Sequence, residues 1–364
     1  MKKQLALPFR ILKWIVVTIL ILIAVAFLFL GFLTLIEYRP DDVETVVPEA
    51  SVSGEKKTLS VGDDVGIVTW NIGYCGLSET ADFFMDGGKA VRSQDKDSVL
   101  NNLSSMEDVL ESINPDVMYI QEIDVNSTRT YGIDETKDFK ERFAEYSTAF
   151  AKNFDVFFIP YPIPPMGRMD AGIQTLSKYD ISSAERIALP SPFSWPSRVG
   201  NLKRCLLVSR VPVEGTDKEF VFVNLHLEAY DDGAGKAAQT ALLANFIQEE
   251  YEKGNYVVAG GDFNQTFSNV DTSVYPVLGE DYWQAGLINT EDFAEGWQFE
   301  MDTTHPTCRS LDKPYAGHTG DFQFYMLDGF IVSKNLKVDR IETIDQEFKN
   351  TDHNPVYLKV IIEE

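Results

Sequence analysis

"YVVAGGDFNQTF", Tyr256 to Phe267, opens as a short apolar run, passes through two glycines and delivers Asp262 and Asn264 two positions apart. A β-branched run of this length, closed by glycines, reads as a buried strand. Side chains two apart on a strand face the same side, so Asp262 and Asn264 are expected to share one pocket. A Gly-rich turn would spell the same letters, and the stretch alone does not separate the two readings.

Similar runs recur along the chain: "VGIVTW" (65–70), "DVMYI" (116–120), "FDVFFI" (154–159), "CLLVSRV" (205–211), "FVFVNLHL" (220–227), "LDGFIVS" (327–333) and "VYLKVII" (356–362). Between some of them lie helical patterns. Leu100, Leu103, Met106, Val109, Leu110 and Ile113 form one apolar stripe, stopped by Asn114-Pro115. A second pattern, from Ala234 to Tyr251, stacks Leu242, Leu243, Phe246 and Ile247. Strands and helices alternate in part and run consecutively in part, which predicts a layered α/β or α+β domain. No linker divides the chain between Val65 and Glu364.

Polar residues gather at the ends of these runs: Asn71, Glu122, His226, Asp262 with Asn264, Asp328, and Asp352 with His353. Each alone has an ordinary turn reading. Together they supply hard oxygen ligands of the kind Mg²⁺ or Mn²⁺ prefers, and histidines beside carboxylates for proton transfer. That is equipment for attack of water on phosphorus.

The ordered series "TWNIG" (69–73), "YIQEID" (119–124), "VNLHLEA" (223–229), "GGDFNQTF" (260–267), "LDGFIV" (327–332) and "TDHNPV" (351–356) resembles the endonuclease/exonuclease/phosphatase superfamily, the deoxyribonuclease I-like proteins. The resemblance runs from about Val65 to Ile362. It implies a four-layer α/β sandwich, two mixed β-sheets face to face with helices outside, and a Mg²⁺ (or Mn²⁺)-dependent phosphoester hydrolase. It assigns the metal to Glu122 and Asp352, and to Asn71 the support of the metal or of the substrate phosphate. Asp262 would orient or deprotonate the water, and Asn264 would donate to the phosphate. His353 would stabilise the transition state or protonate the leaving group, with Asp328 orienting it. His226 belongs to a motif that members use differently.

Three positions stay open at this level. Arg204 falls where some members place a phosphate-contacting arginine, and it also reads as an ordinary strand-end residue. Arg309 and His318 lie in a long loop, 304–322, with a substrate-contact and a solvated reading each. Gly329 stands where many members carry an aromatic residue.

The N-terminus is of another kind. Trp14 to Ile36 is an uncharged apolar run of 23 residues. As a helix it would measure about 35 Å, against a hydrocarbon core of about 30 Å. It is too long for the apolar part of a cleaved secretory signal. Lys2, Lys3, Arg10 and Lys13 precede it, and Glu37, Asp41, Asp42 and Glu44 follow. The expectation is a single-pass cell-membrane anchor, with residues 1–13 cytoplasmic and the catalytic domain (65–364) extracytoplasmic. Residues 37–64, polar and carrying Pro40, Pro48 and Gly54, read as a tether.

The chain's net charge is −24. Such a surface repels polyanions, which counts against sequence-blind binding of long nucleic acid. The favoured substrate is a lipid headgroup or small phosphate ester. A surface nuclease and a non-catalytic binding module on the same fold are the alternatives. No protein partner is implied. Cys75, Cys205 and Cys308 are odd in number and lack metal-ligand spacing, which counts against a disulfide framework while leaving one pair open.

Overall fold

The computed structural model describes residues 6–54, 57–231, 233–279 and 282–363. Lys2 and Lys3 of the expected basic segment, residues 55 and 56 of the expected tether, and Glu364 lie outside the described residues.

Helix α1 (Ala6–Leu35) takes in the apolar run, and its stretch Phe9–Leu35 is long and apolar enough to cross a membrane. Beyond it the chain builds two sheets. In the first, β1 (Val43–Val46), β7 (Ser183–Ala188), β8 (Cys205–Glu214), β9 (Glu219–His226), β10 (Tyr256–Asp262), β16 (Asp328–Val332) and β13 (Gln298–Glu300) lie side by side. The short strand β2 (Leu59–Ser60) pairs with β8. The second sheet runs β17 (Leu336–Thr343), β18 (Val356–Ile362), β3 (Asp64–Asn71), β4 (Val117–Asp124), β6 (Gly167–Ser177) and β5 (Ser147–Ile159). Two small pairs, β11 (Gln265–Phe267) with β12 (Gly286–Ile288) and β14 (Cys308–Arg309) with β15 (Phe324–Tyr325), sit in the loops.

The sheets pack face to face over Tyr119, Phe220, Phe222, Val258, Phe330 and Leu358. Outside the second sheet, α2 (Lys96–Ile113) seats Val99, Leu103, Met106 and Leu110 against Val68, Trp70, Met118 and Ile120. Outside the first, α4 (Ala234–Glu252) seats Leu243 and Ile247 against Val223, Val257 and Ala259. A small helix, α3 (Glu135–Arg142), completes the outer layer on the α2 side. Each such leucine or isoleucine, fully buried, contributes about 1.5–3 kcal/mol. This is the four-layer α/β sandwich of mixed sheets expected from the sequence. The Asn114 stop is also as read: the residue takes left-handed backbone (φ 51°) as the α2 C-cap.

Residues 37–64, read as a tether, make ordered contacts with the domain. Val43–Val46 pairs antiparallel with β7, Glu49 and Thr148 exchange two backbone hydrogen bonds of 2.8 Å, and Leu59 is fully buried. The physical reason is the open ladder of β7. An edge strand left bare presents unpaired N–H and C=O groups, and the charged "VETV" segment covers them although its composition hides a strand. All three cysteines are free and buried.

Candidate active site

Strand β10 lies between β9, parallel to it, and β16, antiparallel. In that register Asp262 stands directly beside His226 on one side and Asp328 on the other. One row across three strands therefore carries three of the expected residues. Two glycines permit the close pairing. A Cβ on Gly260 would meet the Phe330 ring at 2.3 Å, and one on Gly261 (φ 151°) would meet the Leu225 carbonyl oxygen at 1.9 Å.

Strand alternation does not explain the Asp262–Asn264 pair. β10 ends at Asp262, and Asn264 has left-handed backbone (φ 51°) in the turn beyond. Its N–H donates to Asp262 Oδ1 (2.8 Å), and its side-chain amide donates to the Leu227 carbonyl (2.9 Å). A turn closed by the aspartate brings both side chains to one cavity.

The other sheet supplies the facing wall. Glu122 sits at an irregularity in the β4–β6 register, also at positive φ (54°), and that kink turns its carboxylate into the cavity. Asn71, ending β3, donates from Nδ2 to Asp262 Oδ2 (3.0 Å) and Glu122 Oε1 (3.3 Å), while its Oδ1 accepts from the Gly73 N–H (3.0 Å). Asn71 thus ties the carboxylates of the two sheets together. His353 places Nδ1 2.8 Å from Asp328 Oδ2 and Nε2 3.9 Å from Asp262 Oδ2. His226 Nε2 is 3.4 Å from the same Asp262 oxygen, and its Nδ1 has no partner among the described residues.

The two histidines are driven to opposite protonation states. Burial works against a charge on His353, but the Asp328 carboxylate overrides it and raises the imidazole well above its ordinary range. Burial lowers His226 well below that range, reinforced by the nearby positive charges of Arg204 and His353. Asp262 is raised by burial and then by Asp328. A charged imidazole, a neutral one and a carboxylate of raised proton affinity within 4 Å suit acid–base work on one reacting centre.

Glu122 and Asp352 both line the cavity. Glu122 is raised by burial first, pulled back by Arg129, and pushed up again by Asp352. Its nearest ion-pair partner among the described residues is Arg129, at 3.9 Å, and that guanidinium is committed to Asp124 through contacts of 3.1 and 2.9 Å. Mutually repelling carboxylates with so little compensating charge fit a hard divalent cation. Two tighter groups of ligand atoms, Asp262–Asp328–His353 and Cys308–Asp352–His353, also lie within 4.8 Å of one another.

The open positions separate. Arg204 is buried at the cavity, 3.3 Å from Glu228 and donating to the His226 carbonyl (3.2 Å). Arg309 also borders the cavity, but it donates to the carbonyls of Ser310, Leu77 and Ser78, which fixes the loop. His318 is half-buried, within hydrogen-bond distance of the Asp321 carbonyl (2.9 Å) and edge-on to the Phe322 ring, and it does not line the cavity. Around Gly329, a Cβ would meet the Glu300 carbonyl at 2.5 Å, so the β13–β16 pairing needs glycine there.

Sequence reading missed Arg129, which stacks on Tyr74 at 3.7 Å and steadies the Glu122 wall. It also missed Asp86, pushed up to about 7 by burial and then by Asp352, with Tyr230 donating to it at 3.2 Å. Neither carries a motif. The "QEID" aspartate, Asp124, was the one available hint of a buried cation.

The endonuclease/exonuclease/phosphatase family model matches residues 68–342. No curated protein matches the chain at significant similarity. Among solved structures, an endonuclease/exonuclease/phosphatase from Beutenbergia cavernae is similar at 16% identity and TM-score 0.56, over 82% of this chain and 72% of that one. A family protein from Bacteroides thetaiotaomicron gives 14% and 0.53, over 83% and 99%. D. rerio TDP2 complexed with a single-strand DNA product gives 16% and 0.50, over 82% and 99%. At such identities the structures support the fold alone. The family match covers most of the sandwich and every strand-end motif except "TDHNPV". The chain belongs to the endonuclease/exonuclease/phosphatase family, whose members are generally phosphoester hydrolases and typically use divalent metals.

Proposed function

We propose that this chain is a Mg²⁺- or Mn²⁺-dependent phosphodiesterase or phosphatase, anchored by α1 at the outer face of a cell membrane and acting on a lipid headgroup or small phosphate ester. The observation that carries the reading is the row His226–Asp262–Asp328, completed by His353 and facing Glu122 and Asp352 across one cavity. Glu122 and Asp352 would hold the cation, with Asn71 orienting Glu122. A bound cation would polarise a phosphoryl oxygen and offset the local negative charge.

The chain's own residues then divide the work. Asp262 holds the attacking water and takes its proton. The Asp328-supported imidazolium of His353 faces the pentavalent phosphorus and protonates the leaving oxygen. One N–H of the Asn264 amide is committed to Leu227, and the second is the donor for a phosphate oxygen. Neutral His226 and Arg204 would steady the same group. Arg10 and Lys13 before the apolar run and Glu37, Asp41 and Asp42 after it support a cytoplasmic N-terminus.

The test is turnover by the full chain in detergent, with and without Mg²⁺ or Mn²⁺, on bis-p-nitrophenyl phosphate, sphingomyelin, phosphoinositides, RNA and plasmid DNA. Metal-dependent cleavage of a lipid or small ester supports the reading. Preferential DNA cleavage at physiological salt would overturn the substrate class. Metal binding without turnover of any ester would make the chain a binding module.

A further inference from the structure

The cavity has a volume of about 560 Å³, and much of its wall is apolar: Phe84, Ile159, Tyr161, Phe193, Leu202 and Trp283 line it. Ile159 and Tyr161 lie on the tip of the β5–β6 hairpin, and Phe193 lies on the loop before β8. The same two segments continue outward as a bare apolar rim. Phe157 is 53% exposed, Tyr161 71%, Ile163 93% and Trp195 51%.

This rim stands beside the outer end of α1. The Phe158 ring meets Phe29 at 6.3 Å between centroids, and Phe157 meets Phe32 at 5.7 Å. Trp195 Nε1 donates to Thr34 Oγ1 at 3.2 Å. Phe29 and Phe32 precede Leu35 by six and three residues, or about 9 and 4.5 Å along the axis. The hairpin therefore reaches down to the level of the last two turns of the apolar helix. Trp and Tyr beside an apolar tip are the side chains that settle at a membrane interface. Arg39 and Arg198, both paired with Glu37 just past the helix, would stand at the height of lipid phosphates if α1 spans the bilayer. The rest of the domain is acidic, so apolar insertion rather than charge would hold this face down.

We infer that the β5–β6 hairpin tip and the Phe193–Trp195 loop form a second membrane contact, seating the cavity mouth on the bilayer around α1 so that an amphiphilic phosphate ester enters from the lipid surface. This rests on the anchored phosphoesterase reading and names the physical form in which its substrate arrives. Tyr161, shared by rim and cavity, marks the path. The phosphate would move toward His353 and Asp262 while the acyl part stays against Phe84, Ile159 and Phe193.

The experiment uses the full chain in phosphatidylcholine vesicles with lipids brominated near the top of the acyl chain. A Trp14→Phe background leaves Trp195 as the membrane-proximal indole. Bromination should quench emission, and adding Trp195→Phe should abolish the difference. A Phe157→Ser, Ile163→Ser, Trp195→Ser variant should turn over bis-p-nitrophenyl phosphate within about twofold of wild type but lose about tenfold or more on vesicle-borne lipid ester, since the second contact raises local concentration. Carbonate-resistant insertion of α1 with no quenching of Trp195 overturns the inference and leaves the anchor standing. Equal loss on both substrates, or none on vesicles, also overturns it. Extraction by carbonate refutes the anchor and the inference together. Quenching without hydrolysis of any ester refutes the catalytic reading while the membrane contact holds.

Discussion

Replacing Gly261 by alanine tests whether the site depends on the β9–β10 row. The new Cβ would lie 1.9 Å from the Leu225 carbonyl oxygen, a backbone atom with no rotamer to escape by. That is about 1.4 Å inside the closest carbon–oxygen contacts normally found between strands, ~3.3 Å. Overpacking of this kind costs about 1–3 kcal/mol. The backbone adds about 1–2 kcal/mol, because φ at Gly261 is 151°, where a side chain is strained. A total of about 2–5 kcal/mol would lower the midpoint by roughly 3–8 °C in a domain of this size. Leu225 pairs with Gly261, and the next pair is His226 with Asp262, so the strain falls on the catalytic row. A displacement near 1 Å there costs about a hundredfold in turnover. The comparison is Gly254→Ala, in the turn before β10. Its φ is also positive (87°), but its Cβ would meet the flexible Lys218 side chain at 2.8 Å, away from the site. Thermal melts in detergent, followed by tryptophan fluorescence, with turnover of bis-p-nitrophenyl phosphate, read both effects. Gly254→Ala should lose about 1–2 kcal/mol and keep its activity. A Gly261→Ala protein with wild-type melting and turnover would refute the argument.

Asp262→Asn keeps the shape and removes the base, so kcat should fall about 10²–10⁴-fold with KM little changed; His353→Ala should fall in the same range. Glu122→Gln should weaken Mg²⁺ or Mn²⁺ binding, measured by calorimetry, by about 10–100-fold, whereas Arg309→Lys should leave it unchanged. Away from the site, Glu250 is buried, yet hydrogen bonds from Arg210, then Lys253 and Asn255, bring its pKa down to about 2. A depressed carboxylate stabilises the fold above its unfolded pKa, and that contribution is lost as pH falls from about 4.5 toward 2. With solvent screening allowed for, Glu250→Gln should cost about 1–2 kcal/mol at pH 7, the gap to wild type closing over that acid window in denaturant melts.

The layered fold and the identities of the strand-end residues were legible because both rest on local chemistry. Runs such as "YVVAGG" are buried on both faces and need no distant partner to be read as strands, and α2 carries its apolar stripe openly, whereas α4 buries Lys236, Gln239 and Glu250 beside Leu243 and Ile247. What the sequence determined was therefore the most apolar of the elements and the polar residues at their ends, without β6, β7 or β17. The tertiary structure decided how those ends meet. Parallel pairing of β9 with β10 puts His226 beside Asp262, and antiparallel pairing of β16 puts Asp328 on the other side, through registers that no spacing encodes. Asn264 and Glu122 reach the cavity through left-handed backbone rather than strand alternation, which a period-2 reading cannot anticipate. Opposite shifts of the two histidines come from burial and from charged neighbours brought in by the fold, Asp328, 25 residues from His353, and Arg204, 22 residues from His226. The "VETV" edge strand looked like tether because its partner, β7, supplies the reason for it to be ordered. The rim of Phe157, Ile163 and Trp195 is scattered in sequence and becomes one surface when the hairpin and the loop converge on the end of α1. Local propensity and burial pattern are written residue by residue; register, charge coupling and shared surfaces are properties of pairs, and they exist only once the sheets have closed.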